Sequence, residues 1–219
     1  MTGHPTLAAI VGLSLTISLT ASLIAAMVGM PLGALLALTR FPGRAALVVL
    51  VNATMGLPPV VVGLAVYLLL SRSGPLGSMG ILFTPTAMIV AQTVLVVPII
   101  AALTRQTVED LWSDYRDELN AMEVGPAGRV ATLLWDARYS LLTALLAGFG
   151  RAIAEVGAVM IVGGNIDGFT RTMTTSIALE TSKGDLPLAM QLGLVLIGIV
   201  LAINAAAWAT RSWSERQAG

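Results

Sequence analysis

"GFGRAIAEVGAVMIVGGN", residues 148–165, places Arg151 and Glu155 inside an apolar run long enough to cross a bilayer. An ionised side chain at that depth costs roughly 2.5–3.5 kcal/mol on insertion scales. Four residues apart on a helix, the two lie on one face and reach each other, so a couple turned inward need not meet lipid. Gly150, Ala154 and Ala158 recur at spacing four, as do Gly148 and Ala152, and small residues at that interval let helix backbones approach closely. The run therefore predicts a transmembrane helix packed on other helices along much of its circumference.

The rest of the chain agrees. Of its 219 residues, 56% are hydrophobic and 11% are charged, with a mean hydropathy of +0.87. A soluble domain is about 25% charged, and the deficit reads as an integral membrane protein. Twelve basic residues balance twelve acidic ones, so no charge excess points to nucleic acid. Without cysteine there is no disulfide framework and no thiolate metal site. The single histidine, His4, reads as a solvated residue rather than a ligand.

Five stretches are long and apolar enough to span: about 7–38, 45–71, 86–104, 139–164 and 186–210. Residues 1–38 lack a basic leader, and their apolar run is about twice a secretory h-region, so a retained first helix is expected. That helix exceeds the required length, which predicts either a kink at Pro31 or an end lying in the interface. No segment alternates with period two, which disfavours a barrel. One side of the predicted topology carries Arg40, Arg44, Arg105, Arg116, Arg129, Arg138, Arg211 and Arg216 between or beyond the spans; the other carries Arg72, Arg171 and Lys183. That imbalance places the N-terminus outside and the C-terminus in the cytoplasm.

The sizeable cytoplasmic segment is then 105–138, rich in charge and interrupted by Gly125, Pro126 and Gly128. It reads as helix, tight turn, helix. Before the turn the acids Glu109, Asp110, Asp114, Asp117, Glu118 and Glu123 outnumber the basic residues. Anionic lipid would repel such a face, so a docking site for another protein fits better than a connector resting on headgroups. The expected fold is thus an all-α membrane protein: five transmembrane helices, a cytoplasmic helix-turn-helix coupling loop between helices 3 and 4, and one permease domain over 1–219. The lone lysine, Lys183, has no phosphate-cradling glycine loop around it, and no metal-ligand cluster or nucleophile motif occurs. Uphill movement would need power from a partner or from an ion gradient.

Three blocks resemble the permease subunits of ABC importers, within them the oxyanion branch that carries molybdate, sulfate and tungstate. "MGLPPVVVGLAVYLLLSRSGPLG" (55–77) looks like the second-helix pattern, with paired Pro58 and Pro59. "GFGRAIAEVGAVMIVGGNIDG" (148–168) is similar to the signature of Arg151, Glu155 and Gly157 followed by Gly163, Gly164 and Asn165. "DELNAMEVGPAGRVATLLWDARYS" (117–140) occupies the place of the Glu-Ala-Ala…Gly loop that docks on the ATPase. Counting back from 148–168 puts Glu123 at the family glycine, with Asp117, Glu118 and Leu119 for Glu-Ala-Ala. A shift of two residues brings Gly125 into register and leaves Leu119, Asn120 and Ala121 ahead of it. A glutamate at the glycine position requires a backbone conformation that glycine adopts more easily. "TRTMTTSIALETSKGDLPLA" (170–189) looks more like tungstate-type permeases than molybdate or sulfate ones.

The resemblance implies a homodimeric permease with the pathway between two copies, and no cofactor of its own. ATP and Mg would be bound by separate ATPase subunits docked on Asp117, Glu118, Ala121, Met122, Glu123, Val124, Gly125 and Pro126. An extracytoplasmic tungstate-binding protein would deliver substrate to 72–85 and 164–186. Pro58, Pro59, Arg151, Glu155, Gly157, Gly163, Gly164 and Asn165 are candidates for the pathway or its gate. Each has a plainer alternative: an ion pair holding the bundle together, a simple proline kink, a glycine-rich helix cap. An ion-gradient carrier using Glu155 as a proton relay is a rival function, as is a non-transporting scaffold.

Overall fold

The computed structural model describes residues 7–218; the side chains of Ala207 and of 210–218, Arg211 and Arg216 among them, lie outside the description, as does His4. The described residues form helices and turns: α1 (Leu7–Leu38), α2 (Arg44–Met55), α3 (Pro59–Leu70), α4 (Pro85–Ala121), α5 (Pro126–Asp136), α6 (Arg138–Ile153), α7 (Gly157–Gly163), α8 (Met173–Lys183) and α9 (Leu186–Ala218), with a short 3-10 turn at Gly77–Met79. Among the described residues three helices are long and apolar enough to cross a membrane, and the total is five if each of two sharply bent helix pairs counts as one span. The all-α membrane fold expected from the sequence is the fold observed.

Central to the bundle is α4. It packs along α1 and also meets α2, α3, α6 and α7, while α3 lies on α7 and α8 on α9. The face that α1 turns to α4 is small and partly polar: Ser18, Ala21, Ser22, Ala25, Gly29 and Gly33 are buried. Its outer face is large and apolar, with Leu19, Leu23, Met27 and Val28 exposed. In lipid an apolar side chain gains nothing by turning inward, so close backbone contact between small residues decides which face packs. At Gly33 an added Cβ would stand 2.8 Å from Thr104 Cβ and 2.9 Å from the Arg105 backbone nitrogen. α1 runs through Pro31 as a single helix of 32 residues.

The second crossing is broken where its sequence demands it. Pro58 precedes another proline, which pushes it to extended backbone (φ −62°, ψ 124°), and Pro59 then opens α3 at a position that needs no N–H. The two halves meet at 103°. The fourth crossing departs from expectation. It is not one helix over 139–164: α6 ends at Ile153 and α7 begins at Gly157. The other bent pair is α5 with α6, at 74°. The third helix also continues past its apolar part, so that α4 runs 37 residues, roughly 55 Å, well beyond a 30 Å hydrocarbon core. α8 had no counterpart in the five expected spans; Thr172 and Thr175 form a capping box at its start, and Gly184 closes its end in left-handed backbone.

Candidate functional site

Both helix breaks come to one place. Near the start of α3, a Cβ on Gly63 would lie 2.7 Å from Ala158 Cα, and one on Gly157 would lie 2.9 Å from a methyl of Val60. Leu57 packs into the cluster that contains Val62, Ala158 and Val159. Pro58, Pro59, Arg151, Glu155 and Gly157, far apart in the sequence, thus surround a shared junction. Gly163, Gly164 and Asn165 do not. They stand at the opposite end of α7, beside Met88 and Phe83, and Gly164 and Asn165 take left-handed backbone (φ 70° and 49°) that ends the helix.

Arg151 and Glu155 are paired at 2.6 Å, although the helix breaks between them. The carboxylate is 3% exposed and the arginine side chain 32%. One carboxylate oxygen takes the guanidinium; the other accepts the Ala158 N–H at 3.1 Å, a donor that the break leaves free at the start of α7. The remaining loose groups are held from elsewhere. Gln92 of α4 donates its amide to the Ala152 carbonyl at 2.9 Å, and the Thr174 hydroxyl of α8 donates to the Glu155 carbonyl at 2.8 Å. A break inside a membrane persists when its freed backbone groups find partners of this kind. Sequence reasoning passed over Gln92 and Thr174. The available signal was polarity out of place, an amide inside the apolar run 86–104 and a run of hydroxyls at 172–176. The small-residue series divides: Ala152 and Ala158 are buried, but Ala154 is exposed and Gly150 has open space beside it.

At the other end of the molecule α4 stops in a Schellman turn. The Val124 N–H reaches the Leu119 carbonyl at 3.2 Å and the Glu123 N–H reaches that of Asn120 at 3.0 Å. Glu123 has φ 53°, the left-handed conformation usual for glycine at this point of a helix end. The Arg129 side chain donates to the Val124 carbonyl at 2.7 Å and stacks over Trp112, with 5.4 Å to the ring centre. Beneath the turn, Ala34, Val108, Leu119 and Leu133 form a buried cluster joining α1, α4 and α5. On top, Asp117, Glu118, Ala121, Met122, Glu123, Gly125 and Pro126 are exposed, Met122 to 72%, and Val124 is half-buried. Nearby, Glu109 bridges Arg44 and Arg105, fixing the start of α2 to α4. The turn is an acidic, exposed knob on the end of the central helix.

No family model matches the chain. A probable anion ABC transporter permease protein of Haloferax volcanii is 41% identical, over 91% of this chain and 88% of the relative. The tungstate uptake system permease protein TupB of Peptoclostridium acidaminophilum is 42% identical, over 92% and 88%. The chain belongs to the oxyanion ABC transporter permeases. The molybdenum transport system permease protein ModB of Azotobacter vinelandii is a more distant relative, 27% identical over 77% and 78% of the two chains.

As a permease the chain is a membrane subunit of its transporter, a multi-pass protein of the inner membrane. Its Schellman turn carries a local strain that glycine would remove: an L-residue in left-handed backbone costs roughly 1–2 kcal/mol. The Glu123→Gly permease is therefore expected to be more stable by up to about 1 kcal/mol, part of the relief being offset by the freer unfolded chain. Thermal unfolding in detergent measures this as a raised midpoint.

Proposed function

We propose that this permease forms, as a homodimer, the membrane pathway of an ATP-driven tungstate importer. The observation that carries the reading is the exposed turn at the end of α4, set on a buried cluster and studded with the acids Asp117, Glu118 and Glu123, which form no ion pair among the described residues. Separate ATPase subunits, which bind ATP and Mg, dock on Asp117, Glu118, Ala121, Met122, Glu123, Val124, Gly125 and Pro126. That turn faces the cytoplasm and the N-terminus faces outside, in keeping with the distribution of arginine. A tungstate-binding protein delivers the anion on the outer side. Pro58, Pro59, Arg151, Glu155 and Gly157 line or gate the pathway at the junction of the two breaks, while Gly163, Gly164 and Asn165 lie nearer its outer mouth. Discontinuous helices tend to mark the passage in transporters, which supports this placement. Each partner must bind one state of the permease better than the other in order to drive it between inward-open and outward-open forms.

The test is ATP hydrolysis and uptake by the reconstituted complex, with binding protein loaded in turn with tungstate, molybdate and sulfate. Stimulation by tungstate above the other two supports the substrate. Uptake abolished by a protonophore and indifferent to ATP replaces this reading with a gradient-driven carrier. Charge reversal of the turn, Asp117→Lys with Glu118→Lys, is expected to weaken ATPase co-purification about tenfold or more and to leave the unfolding midpoint nearly unchanged. Undiminished co-purification would count against docking at this surface.

A further inference from the structure

A cavity of about 650 Å³ opens where the loop after α3 folds back on the end of that helix, walled by Tyr67 and Leu70 of α3, the turn that follows them, and Phe83. It adjoins the end of α7. The Phe83 N–H donates to the Val162 carbonyl at 2.9 Å, and a Cβ on Gly164 would stand 2.9 Å from a ring carbon of Phe83. Arg72 lines the cavity. Of the three cations that the sequence assigns to this side of the membrane, Arg171 pairs with Asp167 at 2.9 Å and Lys183 with Glu180 at 2.8 Å. Arg72 is the third, and among the described residues it makes no ion pair and no hydrogen bond. No carboxylate lines the cavity among those residues.

The C-terminal end of a helix ordinarily repels an anion, because its last carbonyls are left over and carry the negative end of the dipole. Here the loop covers them. The Ser71 N–H donates to the Tyr67 carbonyl at 2.8 Å and the Ser71 hydroxyl to that of Leu68 at 3.0 Å. The Leu76 N–H takes the Leu69 carbonyl at 3.0 Å, and the Gly74 N–H takes that of Ser71 at 2.8 Å. Two glycines make the fold-back possible: a Cβ on Gly74 would stand 2.1 Å from the Leu68 carbonyl oxygen, and one on Gly77 would stand 2.2 Å from that of Ser71. Donors, by contrast, are unspent. Tyr67 and Ser73 line the same cavity; the Tyr67 hydroxyl has no partner among the described residues, and the Ser73 hydroxyl meets only that of Ser71, at 3.4 Å.

An unpaired guanidinium, free hydroxyls and capped carbonyls suit a group that is all acceptor and negatively charged. We infer that the cavity receives a hydrated tetrahedral oxyanion, with Arg72 supplying the charge and the Ser73 and Tyr67 hydroxyls further donors. The inference rests on the proposed reading of this chain as an oxyanion importer and places a waiting site at its outer mouth. Arg72 is exposed, so the hold is loose. One charge met at 4 Å in water raises local anion occupancy about fivefold, and a site on a pathway must release what it binds.

The chain has no cysteine, so Leu82→Cys puts a single thiol in the cavity wall. The assembled transporter, in phospholipid nanodiscs without binding protein or ATP, is treated with a negatively charged thiosulfonate, and modification of the permease chain is followed by mass. Each rate is divided by that of a neutral reagent of like size, which cancels changes of access. The normalised rate is expected to fall about fivefold when Arg72→Gln is added. Tungstate, molybdate or sulfate is expected to slow the neutral reagent beyond the effect of chloride at equal ionic strength, and to do so only with Arg72 present. An anionic rate indifferent to Arg72 overturns the inference, as does the absence of protection by all three oxyanions. A rate that changes between nanodiscs and phospholipid-free detergent, with no oxyanion protection, overturns it in favour of a lipid phosphate. Loss of binding-protein association in Arg72→Gln, again without protection, overturns it in favour of a protein contact. Protection without ATP-driven uptake supports the site and removes the importer reading; uptake without protection overturns the site alone.

Discussion

Gly33→Leu is expected to leave the permease without a stable pairing of α1 and α4. Inserting bulk into a packed interior commonly costs about 1–3 kcal/mol through shifts of side chains and backbone. Here the obstacle includes the main chain of α4: the first added carbon already stands 2.9 Å from the Arg105 backbone nitrogen. Backbone cannot rotate aside as a side chain can, so the loss should exceed that range and appear as aggregation during extraction. The comparison is Gly12→Leu on the same helix, where a Cβ meets nothing within 4 Å. Gly12→Leu should stay monodisperse on size exclusion, with an unfolding midpoint near that of the unmodified protein. Equal behaviour of the two variants would remove close backbone contact as the basis of this interface.

Glu155→Ala is the second large effect. The change strips Arg151 of its carboxylate and leaves the Ala158 N–H without an acceptor at the start of α7. Removing one member of a fully buried pair typically costs about 3–5 kcal/mol because the other charge stays behind; with Arg151 32% exposed, the loss here should fall at or below the lower end of that range. The double variant Arg151→Met with Glu155→Gln should recover most of that stability, since the glutamine still accepts from Ala158 and no charge is stranded. A double-mutant cycle on the unfolding midpoint measures the recovery. The same double variant separates structure from transport. A pair that serves only to hold the bundle predicts normal uptake once stability returns; a pair that reorganises during the cycle predicts a stable protein with uptake lost.

These elements also show where the sequence was readable. The interruption at Pro58 and Pro59 was legible because proline acts through its own covalent geometry, and the effect is local. Glu123 was legible only through the family resemblance: of the two registers left open, with Glu123 or Gly125 at the family glycine, the first puts a side chain at the turn residue whose φ is 53°. The break at 154–156 was not. Nothing in "RAIAEVG" forbids a helix, and the four-residue spacing of Arg151 and Glu155 argues for one. What holds the break open is Gln92, 60 residues away, and Thr174, 19 residues away. Tertiary hydrogen bonds leave no periodicity in the segment they disrupt. The helix before the turn was legible too, but not its continuity with the apolar run: hydropathy marks where the apolar residues stop and says nothing of whether the helix stops with them.

That length has a mechanical consequence. Gln92 grips the fourth crossing and the Schellman turn sits at the far tip, with some 29 residues, or roughly 44 Å of unbroken α-helix, between them. A beam that long turns angle into distance: a swing of 5° about one end sweeps the other through roughly 4 Å. The acidic tip and the side chain that holds the Ala152 carbonyl thus belong to one helix.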